Sequence, residues 1–377
     1  MISNHEIPWF IPVLDGADSE AVRQTVVRGF VNEGPENRAF EKELTAYFGV
    51  PYAVTMPSCT TAIALTLKAL GIGHGDTVLV PAVTFIGTAS AVRLAGAEPI
   101  LVDVDPVSFN IDPSDAARRV QKNTKAIVPV HLNGRPAALP ALRKIALQHN
   151  LVIVEDTAEG LASKSGEGWL GTLSDAGCFS LAPTKIITSG QGGFVLTRSE
   201  AVRDNLIRLR DHGRLSRSSD VHPVTGFNFK VTDMQAALAR SQFKKLPARI
   251  QRSREVDRLY MEGLRDIPEI IFTPRPENGG YLMWPDFKSK QRDALAADLR
   301  AQGITLRPFW PALHNQPAYA SKEAYPGADE ASREGCWLPC SPNITDEEIG
   351  RVIDTIRRFF GENYKQSGDM SREHYKK

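Results

Sequence analysis

Between residues 77 and 156 four short apolar runs recur, "TVLVP", "PILVDV", "AIVPVHL" and "LVIVED", with helical stretches between several of them. No other feature constrains the fold as strongly. Runs such as Val152-Ile153-Val154 lack the polar alternation of a half-exposed strand, so each is expected to be buried on both faces. Strands of this kind, alternating with helices, specify a mostly parallel sheet covered on both sides. "TTAIALTLKALG" and "PALRKIALQHN" have helical spacing, and the first stops at Gly71, a suitable C-cap. Upstream, "SEAVRQTVVRGF" and "NRAFEKELTAYFG" read as helices too.

Past residue 230 the pattern changes. A long helical stretch, "TDMQAALARSQFKKLPARIQRSREVDRLYMEGLRD", is interrupted by Pro247. "GGYLMWPDF" then reads as a strand, "QRDALAADLRAQG" as a helix and "TDEEIGRVIDTIRRFF" as a C-terminal helix. Two domains are expected. Residues 1–250 are expected to form a large domain built on this sheet, and residues 251–377 a smaller α+β domain with a mobile polar tail from about residue 361. The N-terminal segment is expected to pack on the smaller one. A chain of 377 residues with 42% hydrophobic content supports a division of this kind.

Charge removes two classes of partner. With 45 basic and 44 acidic residues the chain carries no electrostatic footprint for nucleic acid or for an anionic membrane. No apolar stretch is long enough to span a bilayer, and the N-terminus lacks the pattern of a signal peptide. The four cysteines, Cys59, Cys178, Cys336 and Cys340, form neither a disulfide framework nor a CxxC pair. A soluble cytoplasmic protein is the expectation.

Ligands of an open parallel sheet bind at the carboxyl ends of its strands, and three stretches there carry chemistry. In "MPSCTTAIALTLKALG", Ser58, Cys59, Thr60 and Thr61 lie where a loop becomes a helix. Free N–H groups and the helix dipole make this an anion site, although an ordinary N-cap accounts for it equally well. "LVIVEDTAEG" ends a buried strand in Glu155-Asp156, with Glu159 three residues on. A carboxylate there needs a cation, unless Asp156 is simply a helix N-cap. "FSLAPTKIITSGQGG" places Lys185 alone in a Ser/Thr/Gly-rich loop. A partly desolvated lysine is a nucleophile towards carbonyls. Pyridoxal 5′-phosphate (PLP) needs an amine, an acid against its pyridinium nitrogen and an anion site for its phosphate. Lys185, Asp156 and the 58–61 turn supply that set in order.

The chain resembles the DegT/DnrJ/EryC1/StrS family of PLP-dependent sugar aminotransferases across nearly its whole length. The motifs that carry the resemblance run in order. They include the 32–105 stretch, "VEDTAEGLAS", "FSLAPTKIITSGQGG", "GFNFKVTDMQAAL", "GITLRPFWPALHNQP" and "LPCSPNITDEEI". The resemblance implies an α/β chain of fold type I, like aspartate aminotransferase. It has a large, mostly parallel sheet domain and a smaller α+β domain. It implies Lys185 as the Schiff-base lysine, Asp156 against the pyridine nitrogen and Phe85 stacked on the ring. Thr60, Thr61 and Ser180 would bind the phosphate, and Asn228 would reach it from the partner subunit of a homodimer with shared sites. Glu159 stands where many relatives have Gln or His. A glutamate there resembles the subgroup acting at C4 of 4-keto-6-deoxy sugars. Cys59 replaces the glycine of the usual "SGT", and Gln191 the glutamate of the usual "GEGG".

Other residues have two readings. Arg307 is a contact for a substrate phosphate or an interdomain ion pair. His314 is a substrate contact or a hydrogen-bonded structural histidine. His131 and Asn133 are expected to support the site, Cys336 and Cys340 to pack in the core, and Asp103 and Asp105 to serve turns and caps. No metal site is expected. The resulting expectation is transfer of an amino group from glutamate to a nucleotide-linked 4-keto-6-deoxy sugar. The alternatives are a cyclitol or a keto sugar without nucleotide. Less favoured are a dehydratase, whose family relatives replace the lysine by histidine, and a non-catalytic regulatory relative.

Overall fold

The computed structural model describes residues 6–216 and 220–373, with side chains up to residue 361. Its core is a seven-stranded sheet made from β1 (Tyr52–Met56), β2 (Thr77–Pro81), β3 (Glu98–Val102), β4 (Thr124–Ile127), β5 (Val152–Asp156), β8 (Ala176–Ser180) and β9 (Gly193–Thr197). The spatial order is β1-β9-β8-β5-β4-β2-β3. All strands run parallel except β9, which pairs antiparallel with both β1 and β8. A two-residue pair, β6 (Lys164–Ser165) and β7 (Gly168–Trp169), forms a separate ribbon between β5 and β8.

The expected strands lie in the sheet with one shortening. β4 stops at Ile127, although the apolar run continues to Leu132. Pro129 has no N–H to give to a ladder, so the chain resumes only as a bridge between Val130 and Asp156. Strands β2, β8 and β9 are buried along their whole length. Each fully buried Val or Leu adds roughly 1.5–3 kcal/mol of hydrophobic stabilisation.

Helices cover both faces. They are α1 (Gly16–Val27), α2 (Pro35–Phe48), α3 (Cys59–Ala69), α4 (Gly87–Ala95), α5 (Pro113–Arg119), α6 (Leu139–His149) and α7 (Glu200–Arg210). Helix α3 is buried nearly all round, because it packs on α4, α7 and the strands β5, β8 and β9 together. Its end matches the sequence reading, with Gly71 just past the cap at φ 80°.

Pro247 does not interrupt a helix. It sits in the first turn of a new one, where a missing N–H costs nothing. Hence α8 (Asp233–Phe243) and α9 (Leu246–Leu264) are separate, and residue 250 lies inside α9. Beyond it, β10 (Ile271–Phe272), β11 (Asp286–Lys288), β12 (Arg307–Pro308) and β13 (Gly335–Trp337) form an antiparallel sheet in the order β10-β11-β13-β12. It is accompanied by α10 (Arg292–Ala301), α11 (Pro326–Glu334) and α12 (Asp346–Glu373). Most of the tail expected from residue 361 is the end of α12; its last residues, 374–377, lie outside the described residues.

The N-terminal segment is strapped to this second region. Ile7 bridges Ile304, and Trp9 O accepts Cys340 N at 2.9 Å. An aromatic cluster forms there, with ring centroids 5.1 Å apart for Trp9–Trp284 and 5.2 Å for Trp284–Trp337. Cys336 and Cys340 are buried here, and Asp105 turns the chain by accepting Val107 N and Ser108 N. Among the described residues no helix is long and apolar enough to cross a membrane.

Candidate active site

The carboxyl ends of β5 and β8 and the N-terminus of α3 open into a cavity of about 230 Å³. Its floor is Asp156, the last residue of β5, which is buried. Asp156 Oδ2 accepts the Thr88 hydroxyl at 2.8 Å, and Oδ1 accepts Ala158 N at 3.0 Å. The Cys59 thiol donates weakly to Oδ1 at 3.7 Å. Burial pushes the Asp156 carboxyl above the usual carboxylate range, while the Ala158 N–H, Thr88 and the positive charge of Lys185 oppose this. Burial also pushes the Cys59 thiol well above its usual range, so this cysteine is a weak donor and not a thiolate nucleophile.

Lys185 lies between β8 and β9, in the loop expected from its Gly and Ser content. Its Nζ is 3.5 Å from Glu159 Oε1 and 4.8 Å from the centre of the Trp284 ring. Glu159 is buried and its Oε2 accepts Asn133 N at 2.7 Å. Burial raises the Glu159 carboxyl too, and Lys185 is the largest influence in the other direction. A lysine and two buried acids thus share one cavity.

The opposite wall is the α3 N-terminus. Ser58 Oγ accepts Thr61 N at 3.1 Å and Thr61 Oγ1 accepts Ser58 N at 3.1 Å, a closed capping box. The N-cap reading therefore holds for Ser58. The first-turn N–H groups still point where an anion is favoured, because a helix of 11 residues starts here. Gly193 is required beside this turn: a Cβ there would lie 2.8 Å from Cys59 N and 2.5 Å from Phe179 O.

Of the residues singled out in the sequence, Thr60, Phe85, Asp156, Glu159, Ser180, Lys185 and Arg307 line the cavity, and Gln191 does as well. Thr61 does not, since its side chain is held in the capping box. Asn228 is exposed on a bridge to Asp211 and is also absent from the lining. His314 lies apart, with Nε2 3.0 Å from Asp329 Oδ1 and its ring stacked on Tyr325. Its structural reading fits this placement. Arg307 forms no direct ion pair among the described residues, although the charge of Glu159 acts on it; its guanidinium rests on the face of Trp9 at 4.5 Å.

The sequence reading missed Thr88, Trp9, Trp284 and Trp310, which also line the cavity. Thr88 was findable as a hydroxyl in the first turn of α4, just beyond the Phe85 segment. The three tryptophans come from distant parts of the chain, and only the fold brings them together.

These groups fit PLP. The donor set comprises an amine, a buried acid and a helix N-terminus, and the cavity walls carry the aromatic ring of Phe85. A model of the DegT/DnrJ/EryC1/StrS aminotransferase family matches residues 12–357, and the chain belongs to that family. A pleiotropic regulatory protein of Geobacillus stearothermophilus is 34% identical, covering 86% of this chain and 89% of its own. A GDP-perosamine synthase of Caulobacter vibrioides is 32% identical, covering 92% and 96%. The solved structure of DesV from S. venezuelae matches with a TM-score of 0.87 and 31% identity, over 93% of this chain and 98% of that one. The fold is that of a fold-type I enzyme, α/β with a large, mostly parallel sheet. The protein is a PLP-dependent aminotransferase.

Proposed function

We propose that this enzyme moves an amino group from glutamate to C4 of a nucleotide-linked 4-keto-6-deoxy sugar. It does so in a cytoplasmic homodimer whose active sites are shared. The observation that carries the reading is the convergence of Lys185, Asp156 and Glu159 in one cavity. The GDP-perosamine synthase relative supports the choice of sugar.

PLP, when bound, supplies an electron sink and a carbonyl that accepts the amine. The remaining chemistry belongs to this chain. Asp156 would face the ring nitrogen and hold a proton there, its own charge kept by Thr88 and Ala158 N–H. Lys185 Nζ would move a proton between the donor's α-carbon and the cofactor carbon as a general base and acid. Glu159, fixed by Asn133 N, keeps Nζ from swinging away. Thr60, Ser180 and the first-turn N–H groups of α3 would take the phosphate, while Thr61, held in the capping box, would fix that turn. Asn228 would reach it from the partner subunit, and Phe85 would lie on the ring. Arg307, lining the cavity without a direct ion pair among the described residues, supports the binding of an anionic substrate group.

The test loads the protein with pyridoxamine phosphate and mixes it with keto sugars, with and without nucleotides. Return of the PLP spectrum is the readout. A response confined to nucleotide-linked 4-keto sugars is expected. A response to cyclitols or bare keto sugars instead would move the acceptor to the alternative class. No response to any ketone would favour a regulatory role, like the one named for the Geobacillus relative.

A further inference from the structure

Asn133 ties together the two groups that face Lys185, and it is fully buried. Its backbone sits at φ 58°, a left-handed conformation that asparagine tolerates better than most side chains. That conformation aims its N–H at Glu159 Oε2, 2.7 Å away. The carboxamide turns to the chain entering β11: Oδ1 accepts Trp284 N at 2.8 Å, and Nδ2 donates to Trp284 O at 2.5 Å and to Asp286 Oδ2 at 3.0 Å. Its carbonyl accepts Met283 N at 3.1 Å. Every polar group of this residue is used. Asp286 is anchored in turn by Arg135 Nη1 at 2.7 Å and by Thr273 Oγ1 at 2.5 Å.

The consequence lies at Lys185. Glu159 and Trp284 come from opposite parts of the molecule, one after β5 and one before β11. Each faces Nζ, and the same asparagine holds the Glu159 carboxylate and the Trp284 main chain, while the Trp284 indole also donates Nε1 to Thr184 O at 3.2 Å. We infer that Asn133 is a positioning residue, which sets the place of the Lys185 amine by clasping Glu159 through its main chain and Trp284 through its carboxamide. The inference rests on the reading of Lys185 as the reactive amine, but not on which sugar is the acceptor. Seating of the small sheet against the large one is thereby transmitted to the amine.

The discriminating variant is Asn133→Gly, since glycine keeps the left-handed backbone and the N–H to Glu159 while deleting the clasp on Trp284. Asn133→Ala would confuse the result with backbone strain. The readout needs neither cofactor nor sugar: competitive acetylation of the cofactor-free full-length chain with acetic anhydride, followed by peptide mass analysis. Lys125 and Lys144, both exposed, serve as internal references. With the Trp284 main chain released from its side-chain clasp, Lys185 should be acetylated several-fold faster than in the parent, relative to those references. A kinetic arm should show kcat for the donor half-reaction falling while the donor KM holds. Thermal melting checks that the variant is folded. If Asn133→Gly does not fold, Asn133→Asp, which tolerates the same left-handed backbone and keeps an acceptor for Trp284 N while losing the amide Nδ2, gives the same comparison with a smaller change. Unchanged Lys185 labelling in a folded variant, or a change matched by Lys125 and Lys144, overturns the inference.

Discussion

Two adjacent carboxylates end β5, and their surroundings could hardly differ more. Glu155 points away from the cavity into a closed set of donors. His131 Nε2 lies 2.8 Å from its Oε2, Gly171 N donates to Oε2 at 2.8 Å and Leu173 N to Oε1 at 2.9 Å. The other nitrogen of His131 accepts Ala137 N at 3.0 Å, so Nε2 carries the proton towards Glu155. Asp156 points the other way, into the cavity, and is held by a hydroxyl, one N–H and a weak thiol donor. Period-two alternation along a strand separates the two residues by a whole face of the sheet. The lesson is that burial alone does not mark a catalytic acid. Glu155 is saturated by fixed partners and holds the loop after β7, whereas Asp156 keeps capacity for a cation that the chain itself does not supply at contact distance.

The comparison predicts opposite failures. Asp156→Asn should cut turnover on the order of 10²- to 10³-fold, the usual cost of losing one preorganised electrostatic partner. Donor half-reaction kinetics at saturating PLP would measure it, and the folded state should survive. Glu155→Ala should do the reverse. It strands His131 and two buried N–H groups and should cost roughly 3 kcal/mol of stability. Urea unfolding would show this loss, with the activity of the remaining folded protein far less affected than in Asp156→Asn.

Acidity sharpens the contrast. Burial raises the Asp156 carboxyl, so the folded cofactor-free chain binds that proton more tightly than the unfolded chain does. The stability this proton brings is present below the ordinary carboxylate range and is lost as pH rises through the raised folded value. Removing the charge should therefore help. Cofactor-free Asp156→Asn should melt above the parent at neutral pH and lose this advantage in acid. Melting curves across pH would check the sign, and a lower melting temperature at neutral pH would break the account of Asp156.

Glu159 should give the smallest effect. Glu159→Gln keeps an oxygen for Asn133 N and a polar group beside Nζ. Turnover should fall by well under the ~100-fold cost of losing an acid or base, with PLP still bound. Complete loss of cofactor would show that Glu159 is misplaced.

Much of this was legible in the sequence because the relevant signals are local. The runs at β2, β3 and β5 are apolar without alternation, and Asp156 and Lys185 sit directly after strand-like segments. The end of α3 was legible through Gly71, at positive φ. The misreadings have physical causes. "GGYLMWPDF" reads as one strand, yet only Asp286 and Phe287 of it enter β11. Met283 and Trp284 spend their N–H groups on Asn133, a partner 150 residues away in sequence that no periodicity reveals. The antiparallel β9 carries no local mark of its direction. The tryptophan lining was invisible for the same reason, since Trp9, Trp284 and Trp310 meet only after the N-terminal segment is strapped beside β12.

The central claim is that Lys185, and no other lysine, is the amine that binds the cofactor. Reduction of the PLP-loaded protein with borohydride, followed by peptide mapping, tests it most directly. The account predicts a pyridoxyl group on the peptide that contains Lys185 and none in Lys185→Ala. A label on any other lysine, or an undiminished label in Lys185→Ala, would contradict it.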